Sequence, residues 1–240
     1  MCEFLSGLTF GPKLENKFGR FYSDPAHTDS HTELETNLKL SDRHEDPHWA
    51  KWEFTPGPKG ITDFDGYQFR LDENRIPSWW DEDLESETIA YAKSRLAEAI
   101  LCEGKIDELD RDVYALAGSV VVAKLNASVR EMRESSQVGE MWGSSQVGEM
   151  RGSSQVGEMR GSSQVGEMRE YSQVGVMREY SQVGEMRESS QVGVMWGYSQ
   201  VVAYTENVAK HLTLKDYACL IDRTLGMPKL VTAETLREKA

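Results

Sequence analysis

Four of the five histidines in the chain, His27, His31, His44 and His48, fall in one short segment and are interleaved with Asp24, Asp29, Glu45 and Asp46. Imidazole and carboxylate groups together hold zinc or another divalent cation, and as a pair they exchange protons during hydrolysis. If this segment carries chemistry, it is a divalent-metal site built from His27, His31, His44 and His48, or an acid–base pair drawn from the same group. The spacings match no ligand motif such as HExxH on a helix. Local structure also accounts for much of the segment. Ser30-His31-Thr32-Glu33 has the form of a capping box leading into Leu34 and Leu38, and residues 43–48 read as a polar loop containing Pro47. Elsewhere there is no phosphate-binding glycine loop, no GxSxG elbow and no CxxC pair. The expectation is therefore no resident cofactor, with a divalent metal at these histidines as the exception.

The elements around this segment read as α+β. Residues 4–10, 52–54 and 67–71 are expected strands, and Pro56-Gly57-Pro58-Lys59-Gly60 is a turn. A helix is expected from about Asp81 to Cys102, with acidic residues in its first turn and a packed face of Leu84, Thr88, Tyr91, Leu96 and Ala99. The formal charge of −13 is concentrated here. Residues 1–116 hold 13 basic and 25 acidic side chains, residues 117–206 hold 8 and 11, and residues 207–240 hold 6 and 4. Without a Lys/Arg cluster to neutralise phosphates, nucleic acid is not an expected partner. Cys2, Cys102 and Cys219 are an odd number set far apart, which suits free thiols in a reducing compartment. No run approaches the roughly 20 apolar residues of a membrane span, and the first ten residues lack the pattern of a signal peptide. The expected setting is cytoplasmic.

Residues 117–206 are ten tandem copies of a nine-residue unit, most regular from Ser135 onward as SSQVGEMWG, SSQVGEMRG, SSQVGEMRG and SSQVGEMRE. Read in steps of nine, valine holds the fourth position from Val120 to Val201. Nine residues are 2.5 helical turns, so successive valines would point to opposite sides of a helix, and a glycine in each regular copy adds about 1 kcal/mol against it. A Val and usually a Met in every unit also separate this segment from a disordered linker, because stacked copies have something to bury. In an extended strand Ser136 and Val138 share a side, taken here as the interior. Gly139 and Glu140 are expected to turn the chain so that Met141 enters from the corner, with Gln137 and Trp142 facing out.

Nine residues cannot close a coil around side chains, whereas two units can. The substitutions follow that doubling: Val replaces Glu at 176 and 194, which are 18 apart, and Trp replaces Arg at 142 and 196, which are 54 apart. The fold expected is an α+β N-terminal domain (1–116) capping an all-β solenoid (117–206) of about five 18-residue coils, then a small C-terminal β cap (207–240). In that cap, residues 218–221 and 229–232 are strands, and Leu212, Leu214, Leu220 and Ile221 cover the last rungs. A small and a large inward residue two positions apart resembles the logic of pentapeptide-repeat and other short-rung β-solenoids, although the five-residue period itself is absent. A small acidic domain ahead of uniform repeats also resembles uncharacterised proteins of phages and mobile elements, which implies no activity.

An 18-residue coil places Glu131, Glu149, Glu167 and Glu185 in one column and Arg133, Arg151, Arg169 and Arg187 in the next, so opposite charges offset the repulsion within each column. The other edge carries Glu140, Glu158, Val176, Val194 and Trp142, Arg160, Arg178, Trp196, with Tyr180 and Tyr198 just beyond the turn. Val176, Tyr180, Val194, Trp196 and Tyr198 are therefore the candidate interface, unless the C-terminal segment covers them. The repeats lack the GGxGxD aspartates of calcium-binding solenoids and the Thr rows of an ice-binding face. Their mixed charge also argues against mimicry of nucleic acid. The leading expectation is a non-enzymatic interaction protein that contacts a protein partner or itself as a homo-oligomer. The alternative is a metal-dependent hydrolase or ligand-binding N-terminal domain with the repeats as an assembly scaffold.

Overall fold

The computed structural model describes residues 5–41, 47–204, 212–224 and 227–234. The chain divides into two compact units, Met1–Ile100 and Leu101–Ala240. The first contains β1 (Leu5–Phe10), α1 (Glu15–Phe18), β2 (Phe21–Tyr22), α2 (His31–Asn37), β3 (Trp49–Thr55), β4 (Gln68–Leu71) and α3 (Glu82–Ala99). Its strands form an antiparallel sheet in the order β2-β1-β3-β4. Every residue of β1 is buried, because helices cover both faces of the sheet. On one face Leu8 and Phe10 cluster with Leu34 of α2 and with Trp49. On the other, Thr9 meets Thr88 of α3 through a 3.1 Å hydroxyl–hydroxyl hydrogen bond, and Tyr91 lies edge-on to Trp52 with ring centroids 6.3 Å apart. Gly7, opposite Trp52 in the ladder, leaves room for that indole, since a Cβ there would stand 2.0 Å from the ring.

Helices α2 and α3 start at side-chain caps, whereas α1 has none. Ser30 accepts the Glu33 amide at 3.4 Å, one half of the expected capping box, while the Ser30 amide donates to Thr28 Oγ1 at 3.0 Å rather than to Glu33, and Asp81 accepts the Leu84 amide at 2.8 Å. The buried face of α3 is Leu84, Thr88, Ala92, Leu96 and Ala99, with Tyr91 at its half-buried margin.

The second unit is a β-solenoid of about six turns. Its strands begin at β5 (Ile100–Leu101) and continue as β6 (Lys105–Leu109), β7 (Val113–Leu116), β8 (Val121–Leu125), β9 (Ser128–Met132), β10 (Gln137–Met141) and β11 (Gln146–Met150). Then come β12 (Gln155–Met159), β13 (Gln164–Met168), β14 (Gln173–Met177), β15 (Gln182–Met186), β16 (Gln191–Met195) and β17 (Gln200–Ala203). The last are β18 (Thr213–Leu214), β19 (Cys219–Asp222) and β20 (Lys229–Thr232). Alternate strands fall into two parallel sheets, ordered β18-β16-β14-β12-β10-β8-β6 and β20-β19-β17-β15-β13-β11-β9-β7-β5. Gln137 pairs with Gln155 and Gln146 with Gln164, so one regular coil is two copies of the nine-residue unit. The antiparallel β20 ends the second sheet.

Ser, Val and Met of each regular copy point inward: Ser163, Val165 and Met168, for example, are at most 1% exposed. Val and Met lie three residues apart, where plain alternation would put them on opposite faces. The glycine between them accommodates the break. It lies within the strand rather than at the expected turn, which falls instead at residues such as 142–145. A Cβ on Gly157 would stand 2.6 Å from the carbonyl oxygen of Gly139 one coil earlier, and one on Gly175 would stand 2.6 Å from that of Gly157. Where Val202 takes the glycine position, the register slips: Val201 still pairs with Val183, but Ala203 pairs with Met186.

At the turn, the ninth position of the unit adopts the left-handed conformation. Gly143, Gly152 and Gly161 have φ of 62°, 66° and 67°, but so do glutamates, with Glu170 at 56°, Glu179 at 57° and Glu188 at 56°. Such a φ costs an ordinary residue about 1–2 kcal/mol. These glutamates offset it with a bond that glycine lacks. The Glu170 carboxylate accepts the Gly152 amide, Glu179 that of Gly161, and Glu188 that of Glu170, each at 2.8 Å and one coil back.

The solenoid also extends beyond the copies counted in steps of nine. The inward pair that stacks on Val138 and Met141 is Val122 and Leu125, not Val120 and Ala123. Beneath them lie Ile106 and Leu109, while Val113 and Leu116 stack under Val129 and Met132. Lys105 pairs with Val121 and Val121 with Gln137, so these first coils are shorter than two full copies of the unit. At the other end Leu212, Leu214 and Leu220 join the same core.

Candidate interaction surface and histidine segment

The charge columns form a continuous ladder. Arg169 lies 2.9 Å from Glu167 in its own coil and 3.0 Å from Glu149 in the coil before, and Arg187 repeats this with Glu185 at 2.6 Å and Glu167 at 2.8 Å. On the opposite sheet Arg160 lies 3.0 Å from Glu158, which also contacts Arg178. The hydrogen bond from Arg160, followed by that from Arg178, holds the Glu158 carboxyl below the usual carboxylate range against the opposing effect of burial. Some of these side-on Nε contacts are ion pairs without hydrogen-bond alignment.

Beside the second ladder, the expected interface residues lie in adjacent columns. Val176 pairs with Val194 across β14 and β16, and both are half-buried. Tyr180 and Tyr198 stack with ring centroids 5.3 Å apart at 6°. The stack continues to Tyr217, 5.0 Å beyond Tyr198 and again at 6°. Their exposures, 59%, 51% and 73%, show that the described C-terminal residues lengthen the patch rather than cover it. Trp196 is half-buried between two cations, with Arg178 5.9 Å and Lys215 4.0 Å from its ring centroid. At the other end of the column Trp142 holds Arg160 at 4.8 Å and donates its indole N–H to Glu140 at 2.7 Å. Tyr217 and Lys215 escape the sequence reading because their coil is longer than two copies of the unit, which takes them out of the regular columns.

The histidines of this segment lie apart from this surface in sequence, and each of the three described ones has its own partner. His27 Nδ1 is 2.7 Å from Asp24 Oδ1 on the exterior. His48 Nε2 is 3.0 Å from Lys13 Nζ, beside Gly11 and Trp79. His31 Nε2 is 2.9 Å from the Trp52 carbonyl oxygen, and its Nδ1 is 3.3 Å from Asp72 Oδ2. His44, with Glu45 and Asp46, lies outside the described residues. Among the described residues, the donor atoms close enough together to share an ion belong to His31, Glu53 and Asp72, a set that includes neither His27 nor His48. Glu53 and Asp72 have no histidine-like signal in the sequence, and only the pairing of β3 with β4 brings them beside His31. No described helix is long and apolar enough to cross a membrane. Compared with protein-family models, curated proteins and solved structures, the chain matches none.

Proposed function

We propose that the chain is a non-enzymatic interaction protein whose β-solenoid presents a contact surface made of Val176, Tyr180, Val194, Trp196 and Tyr198, extended by Tyr217. The observation that carries this reading is the exposed stack of parallel tyrosine rings running over three coils. In most other regular copies the same positions carry Ser, Glu or Arg, and the departures cluster on this edge, with the exposed Tyr171 on the other turn as an exception. Tyr and Trp are the residues that most often anchor protein interfaces, and a flat column of rings suits a protein face more than a small ligand, which prefers a concave pocket. The occupant to test first is a second copy of the chain, as expected of a cytoplasmic homo-oligomer.

The test uses the repeat as its own control. Tyr180→Ser, Tyr198→Ser, Trp196→Arg, Val176→Glu and Val194→Glu each install the residue that other copies carry, so the combined variant keeps the coil while removing the patch. Light scattering should show an oligomer for the wild type and a monomer for the variant, with unchanged circular dichroism. A wild type that is monomeric at every concentration overturns self-association. A second reading, a metal-dependent hydrolase or ligand-binding first unit with the repeats as scaffold, draws its support from the grouping of His31, Glu53 and Asp72.

A further inference from the structure

The side chains of His31, Glu53 and Asp72 offer one imidazole nitrogen and two carboxylate oxygens within 4.8 Å of one another. The backbone positions all three. His31 is the first residue of α2, just after the Ser30 cap. Glu53 lies opposite Arg70 in the β3–β4 ladder. Asp72 follows β4 and extends that ladder by donating its amide N–H to the Lys51 carbonyl at 2.8 Å. Two residues beyond Arg70 on an extended strand, it projects to the same side as Glu53.

The orientation of the imidazole gives a second, independent indication. A carbonyl oxygen only accepts, so the 2.9 Å contact with Trp52 requires His31 Nε2 to carry hydrogen and donate. That leaves Nδ1 directed at an Asp72 oxygen 3.3 Å away. A charge-assisted N–H···O⁻ bond would draw them to about 2.7–2.9 Å. A separation of 3.3 Å instead fits two ligand atoms about 2.1 Å from a shared ion, at an angle of about 104°. Donation of the other ring nitrogen to a backbone carbonyl is also the usual outer-shell support of a metal-bound histidine.

We propose that His31 Nδ1, Glu53 and Asp72 bind a divalent first-row transition ion such as zinc. An imidazole with two carboxylates suits that class better than calcium or magnesium, which favour all-oxygen sites. Arg70 is its built-in competitor. The Arg70 guanidinium lies 3.4 Å from Glu53 Oε2 and 3.2 Å from Asp72 Oδ1, neutralising the carboxylates, yet its side chain is 67% exposed and able to swing aside. The ion displaces it and leaves the backbone unchanged. This site lies in the first unit and does not rest on the solenoid surface.

The test is calorimetric titration of zinc into the full chain after chelation and dialysis, for the wild type, Glu53→Gln, Asp72→Asn and Arg70→Gln. The near-isosteric carboxylate changes leave α2 intact, which far-UV circular dichroism verifies. The expected result is one zinc per wild-type chain, binding lost in both carboxamide variants, and binding tightened on the order of fivefold in Arg70→Gln. Absence of wild-type binding, binding that survives both carboxamide variants at the other histidines, or weaker binding in Arg70→Gln overturns the proposal.

Discussion

The two units use their residues in opposite ways. In the first, each core position is filled once: Trp52, Phe10 and Phe54 are fully buried and have no equivalents elsewhere in the fold. In the solenoid a single Val–Met pair is stacked on itself from β9 to β16. Repetition makes departures from consensus visible, as at Val176, Tyr180 and Trp196. A fold without repeats offers no such background, so the grouping of His31, Glu53 and Asp72 emerges only once the chain is folded. The difference is also energetic, because each solenoid coil contacts mainly its neighbours, while a strand of the first unit serves the whole core.

Deletion tests that contrast most severely. Removing residues 153–170, which is two copies and one coil, should leave a folded protein with a melting temperature lower by a few degrees. Removing the equally long residues 49–66, and with them β3, should abolish cooperative unfolding of the first unit. Calorimetry reads both, and loss of the solenoid transition in the first variant would show that its coils are not interchangeable. Next in size, Gly157→Val should cost about 3 kcal/mol or more in denaturant unfolding, because backbone blocks the new side chain.

Two smaller effects probe the turns and ladders. Glu170→Gly should change stability by less than about 0.5 kcal/mol, whereas Glu170→Ala should cost about 1 kcal/mol, since it keeps the strained φ and loses the bond to Gly152. The pH response follows from Glu158, whose folded-state pKa lies below its ordinary value of 4.5. Its contribution is fully present above that value and lost as pH falls through the folded pKa, so stability should fall on acidification below about pH 4.5 and Glu158→Gln should flatten the fall. The smallest effect is expected at Ser163→Ala, within about 0.5 kcal/mol of wild type, because that buried hydroxyl has no hydrogen-bond partner among the described residues.

The sequence carried the period, the 18-residue coil, the inward Ser and Val, the charge columns and the Ser30 cap of α2, because each depends on neighbours along the chain or on a constant spacing. It misplaced the glycine, whose role at Gly157 is set by the carbonyl of Gly139 one coil away. It also missed the Ile106/Leu109 and Val113/Leu116 rungs, where shorter coils break the nine-residue count, although apolar pairs three apart persist there. Of the grouped donors it singled out His31 but not Glu53 or Asp72, since strand pairing brings together residues that are distant in sequence.

Three of the turn glutamates reach toward the N-terminus, from Glu188 to Glu170, from Glu179 to Gly161 and from Glu170 to Gly152. A ribosome releases the chain N-terminus first, so each of these glutamates meets an amide already in place. Each such bond ties a coil to one released before it, so forming it requires no residue that is still to come.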